Sequence, residues 1–141
     1  MSDAKSQQVR WQQRFNNFTL ARSALQEATT ATEREPANRL YRIALISAFN
    51  FTYELGWKTL KDYLALNGVD VSLPREVIKQ AFHHKLIADG QIWIDMMQDR
   101  NLITHIYDEK IAVQVAQNIR TRYLQAIEQA YRLLDAKRKE A

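Results

Sequence analysis

The sequence predicts an all-α fold, an up-and-down four-helix bundle in which one helix is split into two shorter ones. Three observations carry that expectation. Apolar residues recur at three, four and seven residue intervals through nearly the whole chain, which is the period of a helix. Only three glycines and two prolines occur in 141 residues, so the chain has few places to turn and favours long helices over many short strands. The breaks that do occur, around Pro36, at Asn67-Gly68 and at Asp89-Gly90, are widely spaced.

Each element follows from these signals. Trp11, Phe15, Phe18 and Leu25 form one apolar stripe on the first helix, which Glu33 to Asn38 ends. A second helix runs from about Asn38 to Leu66, stopped by Asn67-Gly68. Its apolar residues, among them Ile43, Ile46, Phe49, Phe51, Tyr53, Trp57 and Leu60, surround it almost completely, so it is expected at the centre. After a connector from Val69 to Leu73, Pro74 and Glu76 mark a new start, and Val77, Ile78, Ala81, Phe82 and Leu86 form its stripe. Asp89-Gly90 breaks that helix, and a further one carries Ile92, Trp93, Met96 and Met97. Asp108 is placed to cap the last helix, whose stripe is Ile111, Val115, Ile119, Tyr123, Ile127 and Leu134.

The length suits one domain, residues 1–141, with a real core. Hydrophobic residues make up 46%, which argues for a packed domain rather than disorder. There is no cysteine and there are only three histidines, so neither a disulfide framework nor a zinc site is expected. His83 and His84 are adjacent, point to different faces and make a poor metal pair. No metal or other cofactor is expected. The polar start from Met1 to Gln8 lacks the apolar core of a secretory signal, and the densest apolar run is broken by Asn50, Glu54 and Lys58. A soluble, cytoplasmic protein that does not engage a membrane is expected. The net charge of +4 permits contact with nucleic acid without announcing it, and Lys137, Arg138 and Lys139 at the tail read as a solvated helix end.

The chemistry concentrates in one stretch, Arg100-Asn101-Leu102-Ile103-Thr104-His105-Ile106-Tyr107. Arginine is permanently cationic and forks onto phosphate. Histidine transfers protons near neutral pH. The tyrosine adds a phenolic hydroxyl that donates, accepts or is modified. Together they are the parts of a metal-free site for a phosphodiester, or of a nucleotide-binding site. At about 100° per residue an unbroken helix would put His105 about 140° around from Arg100. The two converge only if the helix ends near Ile103–Thr104, or if a second subunit supplies one of them. The bland alternative is an Arg100 paired to Asp99 or Asp108 and a histidine capping a helix end.

Asp99 through Glu109 resembles the signature of the HEPN superfamily (higher-eukaryote and prokaryote nucleotide-binding domains). Two further blocks, Phe51 to Leu64 and Pro74 to Gly90, narrow the resemblance to bacterial nucleotidyltransferase substrate-binding proteins, the group that supplies the HEPN partner of MNT/HEPN toxin–antitoxin pairs. It covers roughly residues 40 to 125. The resemblance implies a homodimer whose cleft is lined by both subunits' motifs. In an active member His105 is the proton-transfer residue, helping a ribose 2′-hydroxyl attack the adjacent phosphate, and Arg100 holds that phosphate. It also implies that a minimal nucleotidyltransferase of the MNT type is the partner, and that Tyr107 is an acceptor for AMP. Without the resemblance, Tyr107 also reads as an aromatic at the edge of the core or a hydrogen-bond partner of the site.

Glu54 has two readings. It forms an intrahelical pair with Lys58, or it reaches across the bundle to orient Arg100 or His105, supported by Asp99 and Asp108. Trp57 and Trp93 are expected in the core or at the dimer interface. The chain has no glycine-rich phosphate loop and so lacks the equipment of a nucleotidyltransferase catalytic domain. Two functions from different classes remain. One is a binding partner of a separate nucleotidyltransferase, holding a nucleotide or RNA. The other is a metal-independent endoribonuclease toxin neutralised by that transferase. A helical dimer without a ligand is the third and plainest outcome.

Overall fold

The computed structural model describes residues 2–140, so Met1 of the polar start and Ala141 lie outside the described residues. All described elements are helical: α1 (Ser2–Arg34), α2 (Arg39–Leu66), α3 (Pro74–His83), α4 (Gly90–Asn101), α5 (Glu109–Asn118) and α6 (Leu124–Glu140). A π turn, Ile119–Tyr123, joins α5 and α6 into one rod. The bundle is therefore α1, α2, the split element α3–α4, and the α5–α6 rod, as the periodicity predicts. No described helix is long and apolar enough to cross a membrane.

Local chemistry sets the boundaries. Asn38 Oδ1 accepts from the Tyr41 amide at 3.1 Å and opens α2. Gly68, at φ 83°, closes it, with the Val69 amide donating back to the Leu64 carbonyl at 2.9 Å. The predicted break at Asp89-Gly90 is wider than expected. α3 ends at His83, and Lys85 takes the left-handed conformation (φ 62°) in which the amides of Lys85 and Leu86 reach the carbonyls of Phe82 and Ala81. This is the helix stop that glycine makes most easily, formed here by a lysine, which is why the sequence hides it. Asp89 then caps α4, accepting from the amides of Gln91 and Ile92.

The core lies where α2 meets the rest. Trp11, Phe15, Phe18 and Leu25 of α1 are buried, as are Phe49, Tyr53, Leu60 and Leu64 of α2 and Trp93 and Met96 of α4. Phe49 stacks on Tyr123, and Phe15 on Tyr131. Gly56 is where α2 lets its neighbours in: a Cβ there would sit 3.2 Å from Phe18 and 3.3 Å from Trp93. The Arg14–Asp62 pair at 3.0 Å ties α1 to α2, and Arg22 forks onto Glu128 to tie α1 to α6. Two residues of the predicted stripes face outward instead: Phe51 and Phe82 are more than half exposed. The α2 surface is thus not covered all round. At the tail, Arg138 and Lys139 pair with Asp135.

Candidate functional site

Four side chains of α4 fix its position. Trp93 sits in the core against Tyr53 and over Gly56, with Met96 buried beside it. Asp95 binds Arg122 at 2.5 Å, and that guanidinium holds the carboxyl below its ordinary range. Asp99 Oδ2 accepts from the Tyr123 hydroxyl at 2.6 Å and from Asn118 Nδ2 at 2.9 Å. Asn118 and Tyr123 are five apart, a spacing that in an α-helix turns them about 140° from each other. The wider π turn brings both to one carboxylate, an example of such a turn serving a local geometry. Burial, with the Asp99 carboxylate second, pushes the Tyr123 hydroxyl pKa well above its ordinary value.

Arg100 follows Asp99 and so faces another neighbour. Its Nε lies 2.6 Å from Glu54 Oε1 on α2. The second oxygen, Oε2, accepts from Trp57 Nε1 at 3.2 Å and lies 3.9 Å from Lys58 Nζ. Glu54 thus contacts both Lys58 and Arg100, and the contact with Arg100 is the closer. The pair is half-exposed, with side-chain exposures of 44% for Arg100 and 25% for Glu54. At such exposure an ion pair contributes only about 0–1 kcal/mol to stability. Its consequence is positional: Glu54 fixes where the exposed guanidinium sits.

α4 ends at Asn101, short of the point where His105 would be carried to the wrong side. The Leu102 amide bonds to the Asp99 carbonyl, a 3₁₀ turn covers Ile103–His105, and the Asp108 amide bonds to the His105 carbonyl. Half-buried Ile103 and Ile106 pin this turn to the core. His105 and Tyr107 point outward, their rings edge to face at 6.0 Å, and Tyr107 is 76% exposed. Asp108 caps α5 through the Lys110 amide, and Glu109 pairs with Arg42 of α2.

The predicted site residues thus divide. Arg100 and Glu54 are in contact, and His105 and Tyr107 are neighbours on the turn. Asp99 anchors α4 to the rod, and Asp108 shapes the turn. His83 and His84 are exposed and lie edge to face, while Trp93 is deep in the core and Trp57 lies at its edge. Sequence reasoning does not single out Tyr53, Pro74, Met97 and Asn101, which line, with Trp57, a pocket beside Arg100 and Glu54. They come from α2, α3 and α4, and only their position in or near the family-like blocks marks them.

Three comparisons relate this chain to known proteins. A family model described as "Nucleotidyltransferase substrate binding protein like" matches residues 13–136. A protein of Haemophilus influenzae described as "Probable ribonuclease HepT" is 32% identical over 75 residues, 50% of this chain and 51% of the relative. The chain therefore aligns with about half of that relative's length. A crystal structure of a protein from Thermus thermophilus superposes with a TM-score of 0.67 at 28% identity, covering 77% of this chain and 98% of that one.

Proposed function

The chain belongs to the nucleotidyltransferase substrate-binding-like proteins of the HEPN type, and from that premise we propose that it is the binding partner of a separate minimal nucleotidyltransferase. It holds a nucleotide or RNA at Arg100, His105 and Tyr107, in a cleft completed by a second copy of the chain. The observation that carries this reading is the Arg100–Glu54 contact beside an exposed turn. One carboxylate holds an exposed guanidinium near the end of α4, and the turn that follows exposes an imidazole and a phenol. Arginine so held matches phosphate in two-point fashion.

The homodimer is supported by α2. Leu40, Phe51 and half-buried Leu55 share an outward stripe, with Glu54 and Lys58 on its continuation. A second copy that covers Phe51 also brings its own motif towards Glu54. Sedimentation with a labelled oligoribonucleotide tests this. Two chains per RNA are expected, and Phe51→Glu should yield monomers that bind RNA poorly. A monomer with full RNA affinity would overturn the shared cleft.

A second reading, metal-independent ribonuclease, is favoured by the relative described as a ribonuclease and by the exposed His105 imidazole. His105 would take the proton of a ribose 2′-hydroxyl as its oxygen bonds to phosphorus. The bond to the 5′-oxygen then breaks, leaving a cyclic phosphate and, once protonated, a 5′-hydroxyl. Arg100 would neutralise the charge gathering on the phosphoryl oxygens. An AMP placed on Tyr107 by the transferase would put bulk and negative charge on this edge and block it. Cleavage of mixed transfer and messenger RNA in EDTA by the native protein, absent in His105→Ala, is the expected result. Equal activity in both would reject His105 as the proton-transfer group.

A further inference from the structure

Arg75, Lys79 and Phe82 follow one another at four- and three-residue steps on α3 and so share one face of it. All three line a groove of about 580 Å³ between α3 and α4. Neither cation forms an ion pair among the described residues. The acid that shares the groove, Asp89, accepts from the amides of Gln91 and Ile92, so its charge is set against the start of α4. Phe82 is 53% exposed, and Gly90 backs it so closely that a Cβ there would sit 3.6 Å from it.

This groove continues towards Arg100. Gly90 and Ile94 wall it on the α4 side. Met97 and Asn101, the next steps on the same face of α4, wall a pocket of about 270 Å³ that also borders Arg100 and Glu54. Pro74 stands at that pocket and Arg75, the next residue, at the groove. The two hollows are successive parts of one furrow between α3 and α4, about 16 Å long from Gly90 to Asn101 at the rise of a helix.

We infer that this furrow is the track of a single-stranded polyribonucleotide: backbone phosphates meet Arg100, Arg75 and Lys79 in turn, and an unpaired base lies on the exposed face of Phe82. The inference rests on the reading of Arg100 as a phosphate holder, and it makes a strand rather than a lone nucleotide the ligand. Proteins that hold single strands combine such a line of cations with an aromatic on which bases stack, and stacking needs bases free of a duplex. Continuity with Arg100 favours a nucleic acid over an acidic protein segment as the occupant.

Fluorescence anisotropy with a labelled, unstructured oligoribonucleotide of about 8 nucleotides, at several salt concentrations, tests the track. The proteins compared are the native chain, the double variant Arg75→Ala/Lys79→Ala, Phe82→Ala and Arg100→Ala. Calorimetry with AMP reads the Arg100 end alone. The three α3 side chains are exposed, so the Tm of their variants should stay near the native value. The double variant should bind the oligoribonucleotide about tenfold more weakly, and its log affinity should fall less steeply with log salt, by about 1.4, the loss of two phosphate contacts. Phe82→Ala should weaken binding about fivefold or more with the salt slope unchanged. Pairing the oligoribonucleotide into a duplex should remove that effect. AMP affinity should fall only in Arg100→Ala. If the double variant and Phe82→Ala bind the oligoribonucleotide as the native protein does, the track is wrong and the groove falls to an acidic protein segment. The phosphate site still stands in that case if Arg100→Ala weakens AMP. If Arg100→Ala changes neither ligand, the phosphate reading fails and the continuous track with it. Dissociation of Phe82→Ala into monomers would assign the groove to the subunit contact instead.

Discussion

Arg100 Nε and Glu54 Oε1 lie 2.6 Å apart, joining the last turn of α4 to the middle of α2. Because the pair is half-exposed, its value lies in where it holds the guanidinium rather than in stability. Glu54→Gln should therefore fold with a Tm close to that of the native protein while RNA binding weakens several-fold. Lys58→Ala removes only the more distant partner of Glu54 and should leave binding within about twofold, after allowance for the lost charge. Thermal melts and RNA titrations on the two variants separate orientation of Arg100 from the intrahelical pair.

The contact depends on how closely α4 approaches α2, and Gly56 permits that approach. With a Cβ already at 3.2 Å from Phe18 and 3.3 Å from Trp93, Gly56→Val overpacks the junction. A loss of about 1–3 kcal/mol in unfolding free energy is expected from denaturant titration. RNA affinity should fall with it, because Trp93 and Arg100 ride on the same helix.

Lys85 offers the opposite effect. It holds a left-handed conformation at the end of α3, which costs a non-glycine residue roughly 1–2 kcal/mol. Lys85→Gly should stabilise the protein by about 1 kcal/mol, offset in part by the greater freedom of glycine when unfolded. Chemical denaturation measures it.

Burial of the Tyr123 hydroxyl, reinforced by its hydrogen bond to Asp99, should make the fold sensitive to alkali. The folded-state pKa of Tyr123 is raised above the unfolded value of about 10. Its contribution is therefore full below pH about 10 and is lost as pH rises from there towards the folded value. Unfolding midpoints measured from pH 8 to 11 should fall more steeply in the native protein than in Tyr123→Phe.

Much of this is legible in the sequence because burial follows period. Trp11, Phe15, Phe18 and Leu25 recur as one stripe, and Asn67-Gly68 announces the end of α2. The helix stop at Lys85 is not legible, since a lysine in the left-handed conformation leaves no compositional mark. The π turn is equally hidden: Ile119 and Tyr123 fit an ordinary helical stripe, and only the contact that Asn118 and Tyr123 share with Asp99 shows why the rod widens there. Phe51 and Phe82 read as core because hydrophobicity does not say whether a neighbour covers a given face. At the site, Arg100, His105 and Tyr107 stand out by residue type, and Glu54 by its place on a largely apolar helix. Tyr53 does not, because the walls of a pocket are a property of three-dimensional surroundings.

The claim that Arg100 anchors a phosphate on this edge is tested most directly by fluorescence anisotropy of a labelled oligoribonucleotide in EDTA, at fixed salt, with the native protein and Arg100→Ala. The substitution should weaken binding by about tenfold or more, the scale of a lost charge-assisted contact, with little change in Tm. Equal affinity in the two proteins, both folded, would contradict it.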